Sequence, residues 1–74
     1  MKSIRRYYRI DRRQIAFLKF ILEAYDGIAT LSTIDSRTGE ISLDIPPGCE
    51  SDVDTVLADL GRQITIEAKK SRDL

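Results

Sequence analysis

The one cysteine of this sequence, Cys49, is the side chain best suited to nucleophilic chemistry. It follows Pro46-Pro47-Gly48 and stands just before a segment with a helical apolar pattern. A helix N-terminus stabilises a thiolate, so a reactive thiol is one interpretation. Glu50, Asp52 and Asp54 lie close by, and their negative charge opposes ionisation of the thiol. We favour the other interpretation, which is a passive and partly buried loop thiol.

The remaining residue types that commonly carry catalysis are missing or isolated. The sequence contains no histidine, which excludes imidazole bases, Ser-His or Cys-His pairs and facial-triad metal sites within this chain. A lone thiol forms neither an intrachain disulfide nor a structural zinc site, and no Gly-rich phosphate loop of common spacing is present. We expect no catalytic residue, metal or cofactor. An enzyme that uses carboxylates such as Asp35, Glu40 or Asp44 is the weakest alternative.

The start of the chain is basic and aromatic, a composition typical of nucleic-acid contact. Residues 1–13 carry six basic side chains against Asp11 alone, although the whole chain has twelve basic and twelve acidic residues. Side chains that alternate along a strand project from one face, as in RNA binders that use a sheet surface. Cations at a helix start also oppose the helix dipole, which leaves an anion site as a hypothesis. The candidate anion or RNA contacts are Arg5, Tyr7, Arg9, Arg12 and Arg13.

The chain of 74 residues is long enough for one hydrophobic core, so we predict a single domain over 1–74. A core of this size contributes only about 3–5 kcal/mol, and many such chains gain further stability from a partner. No apolar run reaches the length that spans a bilayer, and no apolar stretch follows the charged start as in a signal peptide. We expect a cytoplasmic protein without membrane contact.

Hydrophobic periodicity and turn residues divide the chain into six elements. Asp11 precedes a helical pattern as a capping residue, and Gly27 ends it. Gly39 stands where a bulged hairpin requires positive φ, and Glu50 or Ser51 precedes the second helix. We predict strands over 4–10, 28–34, 40–45 and 64–68, helices over 12–26 and 51–60, and a frayed polar tail over 69–74.

The element order is βαββαβ, which predicts an α+β, ferredoxin-like two-layer sandwich. Its four-stranded antiparallel sheet carries both helices on one face. In this arrangement the first strand lies between the third and the fourth. Arg5 and Arg9 would then face Glu40 or Asp44 on one side and Glu67 on the other. Cross-strand pairs of opposite charge explain these arginines without a ligand, and we favour that interpretation over RNA binding.

Two features predict self-association. The segment 27–34 contains no charged residue, and the second strand is expected to be a sheet edge. A charge, a proline or a bulge usually prevents pairing at such an edge, and we expect none of these before Asp35. The first helix is also apolar over more than half of its circumference, more than one sheet face needs. The alternative is that its extra aromatic residues wrap the second helix. The candidate dimer contacts are Phe17, Phe20, Ala29, Leu31 and Thr33.

The helix over residues 15–26, the Tyr25-Asp26-Gly27 junction and the strand and hairpin that follow resemble a known family. This is the DUF4911 family of small bacterial proteins, a domain of unknown function, and the resemblance covers roughly residues 5–60. It implies a bacterial cytoplasmic protein and carries no catalytic residue. More loosely, the strand order is similar to ferredoxin-fold regulatory domains of the ACT kind. Those usually place glycine in the first strand-to-helix loop, and Ile10-Asp11-Arg12 contains none.

Together these observations predict a non-catalytic interaction or regulatory module. It would form a homodimer and bind a protein partner or a small ligand through its sheet or sheet edge. The alternative function is an accessory RNA-binding domain that uses the basic first strand and helix start. Salt-dependent RNA binding would distinguish the alternative from the leading hypothesis.

Overall fold

A computed structural model of the chain describes residues 4–69. Within these residues the chain forms four strands and two α-helices in the predicted order, with a short 3-10 helix before the first α-helix. Strand β1 spans Ile4–Ile10, the 3-10 helix Arg12–Gln14, helix α1 Ile15–Ala24, strand β2 Thr30–Asp35, strand β3 Glu40–Ile45, helix α2 Glu50–Leu60 and strand β4 Ile66–Lys69.

The four strands form one antiparallel sheet in the order β2-β3-β1-β4. Strand β1 lies between β3 and β4, and β2 is an edge, as the sequence predicts. In the register Arg5 is opposite Asp44, Tyr7 is opposite Ser42, and Arg9 is opposite both Glu40 and Glu67. The element order and strand order confirm an α+β, ferredoxin-like arrangement.

One hydrophobic core joins one face of the sheet to both helices. The sheet contributes alternate residues because side chains of a strand point to opposite faces. Helices α1 and α2 contribute residues at three-to-four spacing, the period of one helical face. The fully buried side chains of the core are Leu18, Leu22, Ile41, Leu43, Ile45 and Val53. Because both helices pack on one sheet face, no described helix covers the other face of the sheet, and we call it the open face.

The hairpin between β2 and β3 depends on Gly39. Its φ is +82°, a left-handed conformation that side chains with a Cβ rarely adopt. Its carbonyl accepts a hydrogen bond from the Ile10 amide at 3.0 Å. A Cβ on Gly39 would overlap the carbonyl oxygen of Ile10. The predicted glycine turn is therefore also the point where the hairpin joins the end of β1.

The helix starts differ from the prediction. The Asp11 side chain accepts the Arg13 amide, so it caps the 3-10 helix, and Gln14 precedes α1 without a side-chain cap. Helix α2 begins at Glu50, and Cys49 occupies the cap position instead of Glu50 or Ser51. Helix α1 ends at Ala24, and Gly27 has positive φ as predicted.

Two strands begin later than predicted. Strand β2 starts at Thr30, and Ile28 and Ala29 are buried residues of the connection before it. Strand β4 covers Ile66–Lys69, so Lys69 belongs to the sheet and not to the predicted tail. The rest of that tail, residues 70–74, lies outside the described part of the chain.

Candidate functional site

The open face presents the arginines of β1 to acidic residues on both neighbouring strands. Arg5 Nε donates to Asp44 Oδ1 at 2.7 Å, and a second guanidinium nitrogen lies 3.3 Å from Asp44 Oδ2. Arg9 Nη2 donates to Glu67 Oε1 at 2.7 Å. These contacts confirm the predicted cross-strand charge pairs. They follow directly from the register, because opposite residues of antiparallel strands share a face.

These pairs also change the protonation chemistry of the open face. The hydrogen bond from Arg5 lowers the pKa of Asp44, against the opposing effect of desolvation. The same pairing, with a further contribution from Tyr7, raises the pKa of Arg5. Asp44 therefore stays ionised at neutral pH. This is the reverse of the raised carboxyl pKa that a general acid needs.

Tyr7 is the only aromatic residue on the open face of the described strands. It stands opposite Ser42, which is buried although it points away from the helices. Sheet-surface RNA binders stack two or three bases on several aromatic side chains. The open face offers Tyr7 alone, between two ion pairs.

The arginines at the start of the first helical segment lie in different environments. The Arg13 guanidinium bends back to Asp11, with Nη2 2.9 Å from Oδ2. The hydrogen bonds from the Arg13 side chain and backbone lower the pKa of Asp11 to about 2. Arg12 is exposed, and within residues 4–69 it forms no ion pair. Two members of the predicted anion site, Arg9 and Arg13, are thus engaged with carboxylates.

The contact of Arg6 was not predicted from the sequence. Arg6 lies on the helix-covered face of β1, where its Nη1 donates to Asp54 Oδ1 of α2 at 2.7 Å. The alternation of β1 places Arg6 on the same face as Tyr8 and Ile10, so the sequence does indicate that Arg6 lies on the helix-covered face. The identity of the carboxylate that Arg6 contacts depends on where α2 crosses the sheet, and a local sequence pattern does not encode that position.

A small cavity adjoins this arginine at the end of the β1–β4 pair. Its volume is about 210 Å³. It lies beside Lys69, the last described residue of β4. The lining residues are Arg5, Arg6, Tyr7, Tyr8, Ala68 and Lys69.

The outer surface of α1 carries apolar side chains that no other element of residues 4–69 covers. Phe20 is 65% exposed and Phe17 is 43% exposed, and Ala16 and Ala24 are exposed beside them. Aromatic side chains on the solvent side of a helix leave a large apolar area in water. Of the two interpretations of the wide apolar pattern of α1, packing against the second helix does not account for Phe20.

The other predicted dimer contacts lie on or near β2. Thr33 is exposed and Leu31 is half-buried against the core. Ala29 is 5% exposed, so its side chain belongs to the core and does not form part of a contact surface. Strand β2 also contains a bulge, because the pairing with β3 shifts between Thr33 and Asp35. The prediction of an edge without a bulge was wrong at this point.

A second cavity, of about 220 Å³, lies between α1 and the outer side of β2. Lys19 and Glu23 of α1 form one wall. Gly27, Ala29, Thr30 and Leu31 form the other. The helix therefore does not fully cover the edge of the sheet.

Of the residues considered for catalysis, Asp35 and Glu40 are opposite each other at the hairpin end of the β2–β3 pair, whereas Cys49 is the residue before α2. Cys49 is partly buried, is free of disulfide bonding and packs against the core. The Arg37 amide donates to Asp35, and this hydrogen bond lowers the pKa of Asp35. Among residues 4–69 no group of three His, Cys, Asp or Glu side chains is arranged to hold a metal ion. In the same part of the chain no helix is long and apolar enough to cross a membrane.

The fold and its surfaces define a small α+β domain with paired charges on the open face of its sheet and bare aromatic residues on its first helix. The sequence profile of a family described as Domain of unknown function (DUF4911) matches residues 8–64. The chain belongs to this family, as the resemblance of the helix-to-strand junction predicts. No curated protein and no solved structure shows significant similarity to the chain.

Proposed function

We propose that this chain is a non-catalytic interaction or regulatory module that self-associates as a dimer and binds a protein partner or a small ligand. The observation that carries the proposal is the exposure of Phe17 and Phe20 on the outer surface of α1. Burying one phenylalanine contributes about 1.5–3 kcal/mol, a large gain for a domain with so small a core.

The state of the carboxylates supports the non-catalytic part of the proposal. Asp35 and Asp44 were the sequence candidates for acid–base chemistry together with Glu40. Hydrogen bonds from Arg37 and Arg5 lower the pKa of Asp35 and Asp44. A catalytic carboxyl group usually has a pKa shifted towards the working pH, which is the opposite direction.

Sedimentation velocity of the purified chain over the micromolar range tests self-association. We expect the weight-average sedimentation coefficient to rise with concentration, and Phe17→Lys to shift the equilibrium towards monomer. A chain that stays monomeric at high micromolar concentration would contradict the proposal.

A pull-down tests for a protein partner. The tagged native chain and the tagged Phe17→Lys variant are each bound to a resin, and the proteins that each captures are identified by mass spectrometry. A partner that uses the apolar surface is captured by the native chain and lost with the variant. A protein recovered equally on both resins does not bind through the outer surface of α1.

A further inference from the structure

The outer surface of α1 has a regular arrangement of side chains. Residues four apart in a helix lie almost above one another. Ala16, Phe20 and Ala24 therefore form one row, with the large side chain between two small ones. Phe17 borders this row on one flank, and Lys19 and Glu23 border it on the other. We call these six residues the α1 outer face.

The two charged residues of this face are unpaired in the described chain. Lys19 and Glu23 are exposed, and within residues 4–69 neither forms an ion pair. In contrast, four of the arginines in the first thirteen residues, Arg5, Arg6, Arg9 and Arg13, each contact a carboxylate. The α1 outer face thus combines an apolar row with one positive and one negative charge beside it.

This arrangement is complementary to itself. In an isologous dimer, if residue i of one copy contacts residue j of the other, then residue j of the first copy also contacts residue i of the other. If two α1 helices cross antiparallel about a two-fold axis near Phe20 and Ile21, equal flanks face each other. Lys19 then lies opposite Glu23 of the second copy, and Glu23 opposite its Lys19. The same axis brings Ala16 opposite Ala24 of the second copy.

The flank that carries Phe17 fits the same axis. Phe17, which follows Ala16 in the sequence, also lies close to Ala24 of the second copy, so a large side chain meets a small one. Phe20 meets its own copy at the axis, between the two pairs of alanines. The charges and the side-chain volumes of the α1 outer face are therefore both compatible with this one antiparallel register.

We infer that the α1 outer face is the homodimer interface, with two α1 helices crossing antiparallel near Phe20 and paired across the axis by Lys19 and Glu23. This inference rests on the proposed function, because it specifies the surface through which the chain self-associates. It names a second copy of this chain as the occupant, since the charges and volumes of the face complement themselves.

The edge of β2 is the competing surface, and the structure makes it the weaker one. The bulge between Thr33 and Asp35 interrupts its regular pairing, and bulges are one of the devices that protect sheet edges. Ala29 is buried, and Leu31 is already packed against the core. Ile34 is the large apolar residue that β2 exposes, at 37%, so the edge offers less apolar side-chain area than the α1 outer face.

The size of the face sets the strength of the dimer. A helix of ten residues is about 15 Å long, so the contact is smaller than the roughly 800 Å² per partner of a standard interface. We expect dissociation in the micromolar range, with fast exchange between monomer and dimer.

Sedimentation velocity on a set of single variants locates the interface. Phe20→Lys should raise the dissociation constant by at least about a hundredfold, because two phenylalanines leave the interface together. Thr33→Lys is the matched control. It adds the same charge at an exposed position of the β2 edge and should leave the dissociation constant within about twofold. Circular dichroism confirms that both variants are folded.

A charge reversal tests the register. Lys19→Glu alone and Glu23→Lys alone should each weaken the dimer by about three- to tenfold, because like charges then meet across the axis. The double variant Lys19→Glu with Glu23→Lys should restore the native dissociation constant. A double variant as weak as the single ones would overturn the antiparallel pairing.

The outcomes separate this inference from the proposed function. If Thr33→Lys dissociates the dimer and Phe20→Lys does not, the dimer forms through the β2 edge; the inference is then wrong and self-association stands. If the native chain is a monomer at high micromolar concentration, both are wrong. The inference is supported if Phe20→Lys dissociates the dimer and Thr33→Lys does not. It is also supported if the double charge reversal restores the affinity that each single reversal lowers.

Discussion

Three arginines of this chain illustrate how far residue-level reasoning extends. Arg5 and Arg9 meet carboxylates on neighbouring strands, so the basic β1 is neutral in its local surroundings. Arg13 folds back on Asp11, two residues earlier in the chain. Each of these contacts forms between exposed groups, and such pairs add little stability individually. They determine instead how much positive charge the first strand presents to a ligand.

The lowered carboxyl pKa values predict how stability depends on pH. The pKa of Asp11 is about 2 in the folded chain, against 3.8 for an ordinary aspartate, and the pKa values of Asp35 and Asp44 are also lowered. The unfolded chain therefore binds more protons in acid. The stabilisation is present above the unfolded pKa and is lost as pH falls through the folded pKa. We expect the melting temperature to fall between about pH 5 and pH 2.

The matched variant for this prediction is Asp11→Asn, which removes the charge and keeps an oxygen that can cap the 3-10 helix. Thermal unfolding followed by circular dichroism should give a shallower decline of the melting temperature with acid than in the native chain. An equal decline in both proteins would mean that the Asp11–Arg13 contact does not persist in solution.

At the scale of elements, α1 carries two opposite apolar faces. Leu18 and Leu22 are fully buried on the inner face, whereas Phe20 is mostly exposed on the outer one. The sequence pattern indicates a helix that is apolar over most of its circumference. It does not show which part the sheet and α2 cover. The inner face therefore holds the fold together, and the outer face remains available for association.

This division of α1 predicts different effects of two truncations. Leu22→Ala should lower the free energy of unfolding by about 2–5 kcal/mol, because it opens a cavity in the core. Phe20→Ala should change it by less than about 0.5 kcal/mol, since the ring is in water in the monomer. Urea unfolding at low protein concentration measures both. It must be done below the dissociation constant, because dimerisation stabilises the folded state.

A large loss of stability in the Phe20→Ala monomer would contradict the exposed position of this ring. A near-native Leu22→Ala would contradict the core. The comparison also provides a control for the dimer experiments, because a stable Phe20→Ala monomer shows that the outer face can be changed without unfolding.

The whole molecule determines whether the basic β1 can bind RNA. The open face holds Tyr7 between two ion pairs, and a phosphate would have to displace Asp44 or Glu67 to reach Arg5 or Arg9. RNA binding stays a prediction of the alternative function. The interaction-module proposal predicts no saturable binding of single-stranded oligouridine at about 50 mM salt, measured by fluorescence anisotropy.

Binding in which four arginines contact phosphates has a distinct signature. The logarithm of affinity would fall with the logarithm of salt concentration with a slope of about −3. If that slope is found, and Arg12→Gln makes it shallower by nearly one, the chain is an RNA-binding domain. Arg62→Gln is the control, because it removes the same charge from an exposed arginine outside β1 and the 3-10 helix.

The sequence by itself determined the order of the elements, the two faces of β1 and β3, the glycine turn at Gly39 and the pairing of Arg5 and Arg9. These features depend on alternation and turn chemistry, which are local, and on the strand order that a βαββαβ chain adopts. Even here the capping residue of α2 and the first residues of β2 and β4 were misplaced, because element ends depend on local packing.

Only the tertiary structure decided which apolar residues are covered. The burial of Ala29, the exposure of Phe20, the contact of Arg6 with Asp54 and the bulge at Ile34 all depend on where the helices cross the sheet. Crossing positions arise from the packing of many side chains at once, and no local pattern encodes them. The proposed interface could be assigned to the outer face of α1 after that packing was known, and not before.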